Sequence, residues 1–184
     1  MQKTYITADE LLLDAFRLAA AIHNSGFRPD LLVGVWRGGT PVAIAVQEYF
    51  EYLGAPLDHS VIRCSSYTGI GRQDSRVRIE GIEYIVEHTG TDSYVLIVDD
   101  VFDSGLSIHA IFEELKRRAG DALPGDIRTA MPWYKPGNNK TGRVPDYYLH
   151  TTDHWLVFPH ELCGLNREEL AANKKNIAAV LGLI

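Results

Sequence analysis

The stretch Val95-Leu-Ile-Val-Asp-Asp-Val-Phe-Asp-Ser-Gly-Leu-Ser107 decides the fold class of this 184-residue chain. It continues an unbroken apolar run that starts at Tyr94, and such a run predicts a strand buried on both faces. Two aspartates and a short turn at Gly105 follow, and then an amphipathic pattern predicts a helix that begins after Ser107 and runs to about Ala119. A buried strand that leads through a polar turn into a helix is typical of α/β proteins with a parallel sheet.

The rest of the chain continues this alternation. Thr7 and Glu10 form a capping-box pattern ahead of a helical apolar period, and Asn166 with Glu169 forms a second one near the C-terminus. A helix is predicted from Thr40 to the residue before Gly54. Further strands are predicted from apolar runs, at 31–36, 57–63, 127–133 and 147–150. The polar segment 64–81 predicts a long loop or hairpin. We therefore expect a single α/β domain over 1–184, a mainly parallel sheet flanked by helices.

Composition excludes several classes of function. The net charge of −6 gives no basic surface for nucleic acid, and no apolar run reaches the length of about 20 residues that a membrane span needs. The two cysteines, Cys64 and Cys163, have neither metal spacing nor a disulfide framework. The amphipathic first twenty residues do not form a signal peptide. We expect a soluble cytoplasmic protein with reduced thiols that binds neither nucleic acid nor membrane.

The chemistry is concentrated after the strand of the opening stretch. Ligands of α/β sheets bind at the carboxyl ends of strands, where Asp99 and Asp100 stand side by side. Two adjacent carboxylates suit the hydroxyl groups of a diol or a cation. The next turn offers backbone N–H groups and the hydroxyls of Ser104 and Ser107 at the positive end of a helix, which suits one phosphate. The pattern predicts a site for ribose 5-phosphate.

These thirteen residues resemble the phosphoribosyl pyrophosphate signature of the type I phosphoribosyltransferases. The resemblance implies that Asp99 and Asp100 bind the ribose hydroxyls, that Asp100 also binds Mg2+, and that Asp103 is the catalytic group beside the base. The 5-phosphate would be bound by the rest of the turn, namely Ser104, Gly105, Leu106 and Ser107. The family fold adds a flexible loop and a small base-binding hood, here at about 133–165.

The segment Trp36-Arg37-Gly38-Gly39 follows the first strand of the core and resembles the family's pyrophosphate loop. Glycines let backbone amides approach an anion, and a guanidinium pairs with it in a bidentate manner. In the purine enzymes of the family the peptide before the basic residue is often cis. We therefore expect a cis bond between Trp36 and Arg37.

Ser66 and Tyr67 resemble the start of the catalytic loop of purine phosphoribosyltransferases. Displacing pyrophosphate from the anomeric carbon builds a reactive cation that must be shielded from water. The resemblance implies that both residues cover the pyrophosphate. Arg72 and Arg76 are either further anion contacts or incidental residues of a surface loop.

The segment 128–136 resembles the strand in which 6-oxopurine enzymes place a lysine against O6 of the base. The best alignment puts Arg128 at that position, and an arginine reaches O6 and N7 together on a guanine edge. Lys135 is the second candidate for the same contact.

The segment 153–159 resembles the stretch of the bacterial xanthine-guanine type that places an aromatic ring over the purine. Trp155 is the first candidate for that ring and Tyr147 the second, with Tyr148 beside it in the base site. The resemblance also makes Asp153 a candidate to bind a second Mg2+ through water.

Taken together, the resemblance implies a purine-salvage enzyme. It would transfer 5-phosphoribosyl from phosphoribosyl pyrophosphate to hypoxanthine, guanine or xanthine, with Mg2+ as cofactor and a homodimer or homotetramer as assembly. Three alternatives stay open: a regulator that binds phosphoribosyl pyrophosphate without turnover, a phosphoribosyltransferase for another base, and a receiver-type signalling domain. The last expects its acidic pair near the N-terminus, whereas Asp99 lies past the middle of the chain.

Overall fold

A computed structural model of the protein describes residues 2–66 and 77–184. The strands are β1 (Lys3–Tyr5), β2 (Leu31–Trp36), β3 (Asp58–Ser66), β4 (Val77–Glu80), β5 (Tyr94–Val98), β6 (Val101–Phe102), β7 (Asp126–Ala130), β8 (Trp133–Tyr134), β9 (His150–Thr151) and β10 (Trp155–Val157). The α-helices are α1 (Ala8–Asn24), α2 (Gly39–Tyr52), α3 (Ile82–His88), α4 (Leu106–Ala119), α5 (Arg167–Asn173) and α6 (Lys175–Val180).

The central sheet has five strands in the order β4-β3-β2-β5-β7. All its neighbours are parallel except β3 and β4, which pair antiparallel as a hairpin. The predicted mainly parallel sheet is therefore confirmed. Because β2, β5 and β7 run in the same direction, their carboxyl ends meet at one edge, and the loops that follow them share that edge.

Helices cover both faces of this sheet. Leu32 and Leu96 point to the face where α1 and α2 pack, whereas Val33 and Ile97 point to the face of α3 and α4. Each face contributes an apolar core in which these strand residues are almost fully buried. This burial explains why the strands of the centre have continuous apolar sequences rather than alternating ones.

The structure confirms several of the predicted bounds of strands and helices. The strands at 31–36 and 94–98 have the predicted bounds, and the capping box of Thr7 and Glu10 begins α1. The helix predicted to begin after Ser107 already begins at Leu106, within the opening stretch. Several short elements are missing from the predicted pattern, among them β1, α3 and α6, because segments of 3, 7 and 6 residues are too short to display a period.

The two late strands differ from their prediction. The predicted strand 127–133 ends at Ala130, and Trp133 begins β8 in a different sheet. Pro132 explains the break, since it has no N–H for a ladder and restricts the residue before it. In the predicted strand 147–150 only the last residue lies in β9, while Tyr147 forms an isolated bridge with Ala130.

Two small sheets hold the late segment over the carboxyl edge. One has the order β6-β8-β9 and the other pairs β1 with β10. Because β6 follows β5 after two residues, β8 and β9 lie beside the end of the central strand. The boundary of a separate hood at about residue 133 stays a prediction. In the described ranges, no helix combines the length and apolarity needed to cross a membrane.

Candidate active site

The loops after β2 and β5 are packed directly against each other. Gly34 pairs with Val98 across the two strands, so the glycines that follow β2 meet the aspartates that follow β5. A Cβ added to Gly38 would collide with the Asp100 carboxylate, and one added to Gly39 would lie 2.5 Å from the Val98 carbonyl oxygen. Two segments that the sequence predicts to bind one ligand thus form one surface.

The acidic pair has little access to water. Asp100 is 9% exposed, and its backbone N–H donates to Asp99 Oδ1 at 2.9 Å. Burial raises the pKa of Asp99 well above its ordinary value, and the neighbouring Asp100 carboxylate raises it further. Hydroxyl donors or a cation would stabilise the charge of two carboxylates that lie so close together. A ribose diol provides such hydroxyl donors.

The predicted phosphate turn has the geometry of a helix N-terminus. Gly105 has a φ of 77°, a left-handed conformation that favours glycine, and α4 begins at the next residue. Ser104 Oγ accepts a hydrogen bond from the Leu106 N–H at 3.4 Å, while Ser107 lies in the first turn of α4 and is exposed. The open N–H groups and hydroxyls of this turn can hold one phosphate.

The predicted pyrophosphate loop contains the expected cis peptide bond between Trp36 and Arg37. The Arg37 carbonyl oxygen accepts hydrogen bonds from Thr40, at 3.2 Å from its N–H and 2.7 Å from its hydroxyl. These bonds turn the chain into α2, and the Arg37 side chain is exposed. The exposed Arg37 side chain thus precedes two glycines that pack against the acidic pair.

A second group of side chains surrounds Asp103. Lys135 Nζ lies 3.1 Å from Asp103 Oδ2, and Asn138 Nδ2 donates to Asp103 Oδ1 at 2.6 Å. Lys135 is almost fully buried, with Nζ 5.7 Å from the centre of the Trp155 ring, which is half-exposed. The Lys135 N–H donates to the Phe102 carbonyl oxygen at 2.9 Å and so fixes this lysine beside the signature turn.

The structure does not bring Arg128 and Tyr147 to this group. The Arg128 guanidinium donates to Asp126 at 2.9 Å and to the Tyr147 hydroxyl at 2.7 Å. The same hydroxyl lies 2.8 Å from Ser25 Oγ, next to the last turn of α1. Both side chains are therefore engaged with α1 and β7, and Lys135, the second candidate for the base contact, is the cation beside Asp103.

The remaining late candidates have structural partners. Tyr148 is half-exposed and packs edge to face on Tyr134, with ring centres 5.3 Å apart. Asp153 Oδ1 accepts a hydrogen bond from the Gly137 N–H at 3.0 Å, which holds the turn that carries Asn138. Across residues 2–66 and 77–184, no three His, Cys, Asp or Glu side chains are clustered as metal ligands. Metal binding by Asp153 stays a prediction.

Two residues next to the site, Asn138 and His160, belong to no motif that the sequence analysis could detect. Asn138 contacts Asp103, and His160 Nε2 lies 3.7 Å from Asp100 Oδ2. Each belongs to a turn far along the chain, so only the tertiary structure reveals it.

The predicted catalytic loop is described only at its start. Ser66 ends β3 and pairs with Val77 of β4. Tyr67, Arg72 and Arg76 lie outside the described residues, so their roles stay predictions.

Comparison with known proteins places this geometry in a family. The family profile described as "Phosphoribosyl transferase domain" matches residues 2–163. A purine phosphoribosyltransferase from Pyrococcus horikoshii has 29% identity and a TM-score of 0.68, with 90% of this chain and 99% of that chain covered. No curated protein sequence matches significantly.

Two further structures share the fold at lower identity. The xanthine-guanine-hypoxanthine phosphoribosyltransferase of Helicobacter pylori has 22% identity and a TM-score of 0.70, covering 96% of this chain and 99% of that one. A hypothetical protein from Neisseria gonorrhoeae with bound ppGpp has 21% identity and a TM-score of 0.69, covering 98% and 97%. At these identities the likeness concerns the fold alone.

Proposed function

Since the chain belongs to the phosphoribosyl transferase domain family, we propose that it transfers the 5-phosphoribosyl group of phosphoribosyl pyrophosphate to a 6-oxopurine. Hypoxanthine, guanine and xanthine are the bases of this class, and the products are the nucleoside 5'-monophosphate and pyrophosphate. The observation that carries the proposal is the pairing of Asp103 with a buried Lys135 next to the Trp155 ring. The 29% identical Pyrococcus horikoshii structure, a purine phosphoribosyltransferase, supports a purine as the acceptor.

The proposed substrate site has three adjacent parts. Asp99 and Asp100 accept hydrogen bonds from the ribose hydroxyls. The turn from Ser104 to Ser107 binds the 5-phosphate at the start of α4. Arg37 and the amides of Gly38 and Gly39 bind the pyrophosphate, because this loop packs against the acidic pair.

The base contact selects a 6-oxopurine by hydrogen-bond polarity. An ammonium group only donates, and a carboxylate only accepts. A base with O6 next to a protonated N7 presents an acceptor to Lys135 and a donor to Asp103. An amino group at C6, as in adenine, would point a donor at the Lys135 ammonium. Stacking on the exposed Trp155 ring would hold the base plane.

In the proposed reaction N9 of the base forms a bond to the anomeric carbon as the bond to pyrophosphate breaks. The electron pair of the broken bond leaves with the pyrophosphate, whose charge Arg37 stabilises. Asp103 accepts the proton from N7 and thereby makes N9 a better nucleophile. Lys135 and Asn138 hold the Asp103 carboxylate in one orientation during this transfer. Most of the acceleration would come from such electrostatic positioning.

The carboxylates of the acidic pair fit the Mg2+ that the family implies. Hard oxygen ligands are what this ion prefers, and it usually keeps several waters while binding one or two carboxylates and substrate phosphates. Asp100, supported by Asp99, would hold it next to the pyrophosphate loop. Bound there, the ion would neutralise charge on the pyrophosphate. Asp153, Tyr148 and a homodimer or homotetramer remain parts of the proposal that rest on the family resemblance.

The first test is pyrophosphate release with phosphoribosyl pyrophosphate, Mg2+ and one base at a time. We expect turnover with hypoxanthine, guanine or xanthine and none with adenine, uracil or orotate. Tight binding of phosphoribosyl pyrophosphate without turnover of any base would favour the regulator instead. Turnover with adenine would contradict the proposed hydrogen bond from Lys135 to O6 of the base.

Two variants then test which of the two cationic residues, Lys135 or Arg128, contacts the base. We expect Lys135→Met to lower kcat/KM for the base by about 10- to 100-fold, because a charged hydrogen bond contributes about 1.5–3 kcal/mol. Arg128→Met should change this ratio by less than about threefold, since its guanidinium is bound to Asp126 and Tyr147. The reverse order of effects would return the base contact to Arg128.

A further inference from the structure

We propose that His160 contacts the pyrophosphate group of phosphoribosyl pyrophosphate and stabilises it as the leaving group. The inference rests on the proposed function and adds a residue to its site. Neither the signature stretch nor the glycine loop contains this histidine, which lies in the turn after β10.

The imidazole lies where the acidic pair meets the pyrophosphate loop. His160 Nε2 is 3.7 Å from Asp100 Oδ2. The same carboxylate is so close to Gly38 that a Cβ on that glycine would overlap it. His160 and the Gly38 backbone therefore both lie against Asp100 Oδ2, so the imidazole would be in reach of a ribose hydroxyl bound by Asp100 and of a pyrophosphate bound by the Gly38 loop.

Among the described residues, the contact with Asp100 leaves the His160 Nε2 available to a ligand. A distance of 3.7 Å exceeds that of a hydrogen bond, so the contact with Asp100 leaves the Nε2 position uncommitted. The side chain is 31% exposed and is thus partly accessible to a ligand. Its ring lies parallel to the Phe158 ring, 9° apart in plane and 5.8 Å between centres, which fixes the direction of Nε2.

The turn that carries His160 is held by hydrogen bonds at both ends. The Phe158 N–H donates to Glu161 Oε2 at 3.2 Å, and the Glu161 N–H donates to the Phe158 carbonyl oxygen at 3.0 Å. Lys174 Nζ donates to the carbonyl oxygens of Phe158 at 2.6 Å and Pro159 at 3.1 Å. A turn fixed in this way presents the imidazole without reorganisation, as a preorganised contact requires.

The proposed reaction requires a hydrogen-bond donor next to the departing pyrophosphate. When the bond between the anomeric carbon and the pyrophosphate oxygen breaks, its electron pair stays on that oxygen. An N–H of imidazole donates to a phosphate oxygen whether the ring is neutral or protonated. Arg37 would act on the pyrophosphate from the β2 loop and His160 from the β10 turn.

The test compares two ligands that differ by the pyrophosphate group. Phosphoribosyl pyrophosphate and ribose 5-phosphate share the ribose and the 5-phosphate, so both use the acidic pair and the α4 turn. Binding of each, with Mg2+ present, is measured by titration calorimetry on the full chain. We expect His160→Ala to weaken binding of phosphoribosyl pyrophosphate about tenfold and that of ribose 5-phosphate less than twofold.

Further variants act as controls. His160→Asn keeps a side-chain N–H and should recover affinity to within about threefold of the parent. His88→Ala removes an exposed histidine at the end of α3, on another element, and should leave both affinities unchanged. In the assay, His160→Ala should lower kcat and leave the KM of the base unchanged.

The other possible outcomes test the role of His160 and the proposed function separately. Equal weakening of both ligands would mean that His160 acts only by holding Asp100, and unchanged binding would remove it from the site. Failure of the parent to bind phosphoribosyl pyrophosphate would overturn the proposed function and this inference with it. The protein could also turn over no base while His160→Ala weakens binding of phosphoribosyl pyrophosphate alone. That result would support the contact of His160 with the pyrophosphate and would overturn the assignment as an enzyme.

Discussion

Asp99 and Asp103 belong to one short stretch, yet their surroundings give them different chemistry. Asp103 has a lysine on one carboxylate oxygen and an amide on the other, so it is oriented as an acceptor. Asp99 has a second carboxylate as its neighbour, and burial with that neighbour raises its pKa. At the scale of residues, the first environment suits contact with a base and the second suits hydroxyl donors.

The same acidic pair affects a cysteine, which yields a prediction about reactivity. Burial and, to a smaller extent, the nearby Asp99 carboxylate together raise the pKa of the Cys64 thiol to about 12. Because the thiolate is the reactive form, iodoacetamide at pH 8 should modify the folded protein once, at the exposed Cys163. Mass spectrometry after digestion identifies the modified residue.

The control for this prediction is Cys163→Ser, which should take up no label while folded and one equivalent in denaturant. Since the Cys64 pKa is raised, its labelling in the folded state should grow only as the pH approaches 12. Rapid labelling of Cys64 at pH 8 would contradict the burial that raises the pKa of its thiol.

At the scale of elements, the site depends on how closely the glycine loop approaches the end of β5. We expect Gly39→Ala to lower the free energy of unfolding by about 1–3 kcal/mol, because its Cβ would lie 2.5 Å from the Val98 oxygen and 2.7 Å from Asp99 Cα. Both are backbone atoms that cannot move aside. Urea unfolding measures the loss, and binding of phosphoribosyl pyrophosphate should fall with it.

Gly90→Ala is the matched control, since a Cβ there has no neighbour within 4 Å and the φ of Gly90 is not positive. We expect its unfolding curve and its ligand binding to equal those of the parent. If both glycine variants behaved alike, the close contact between the two loops would be wrong.

At the scale of the whole molecule, the late segment is joined to the first elements of the chain. The β1–β10 pairing is one connection, and Thr4 Oγ1 lies 3.0 Å from His154 Nδ1 as a second. The third is the contact of Asp14 in α1 with His150 in β9, at 2.8 Å. These connections hold the Trp155 ring and the His160 turn over the central sheet.

The Asp14–His150 contact gives a prediction about stability. Asp14 is nearly buried, and removing its carboxylate leaves His150 without this partner. We expect Asp14→Ala to lower the free energy of unfolding by about 1–3 kcal/mol. Arg17→Ala breaks only the exposed side of the same cluster and should cost less than about 1 kcal/mol. Equal losses in urea unfolding would show that the contact with His150 adds nothing.

Local chemistry was sufficient to predict much of this molecule. Apolar runs gave the bounds of β2 and β5, and a capping box gave the start of α1. The signature after β5 and the glycines after β2 predicted two binding segments, because their residue types suit phosphate and ribose at that end of a strand. The cis bond at Arg37 followed from resemblance to the family, and it is present.

The sequence by itself thus determined the α/β class, the parallel centre of the sheet and the two loops that meet at its edge. These features depend on short-range patterns and on the rule that parallel strands end together. Only the tertiary structure showed that Lys135, and not Arg128, lies beside Asp103, and only it joined Asn138 to Asp103 and His160 to Asp100. The break at Pro132 moves the chain from one sheet to another, where β8 pairs with β6 and β9. Contacts between residues so distant in sequence leave no period or motif in the chain.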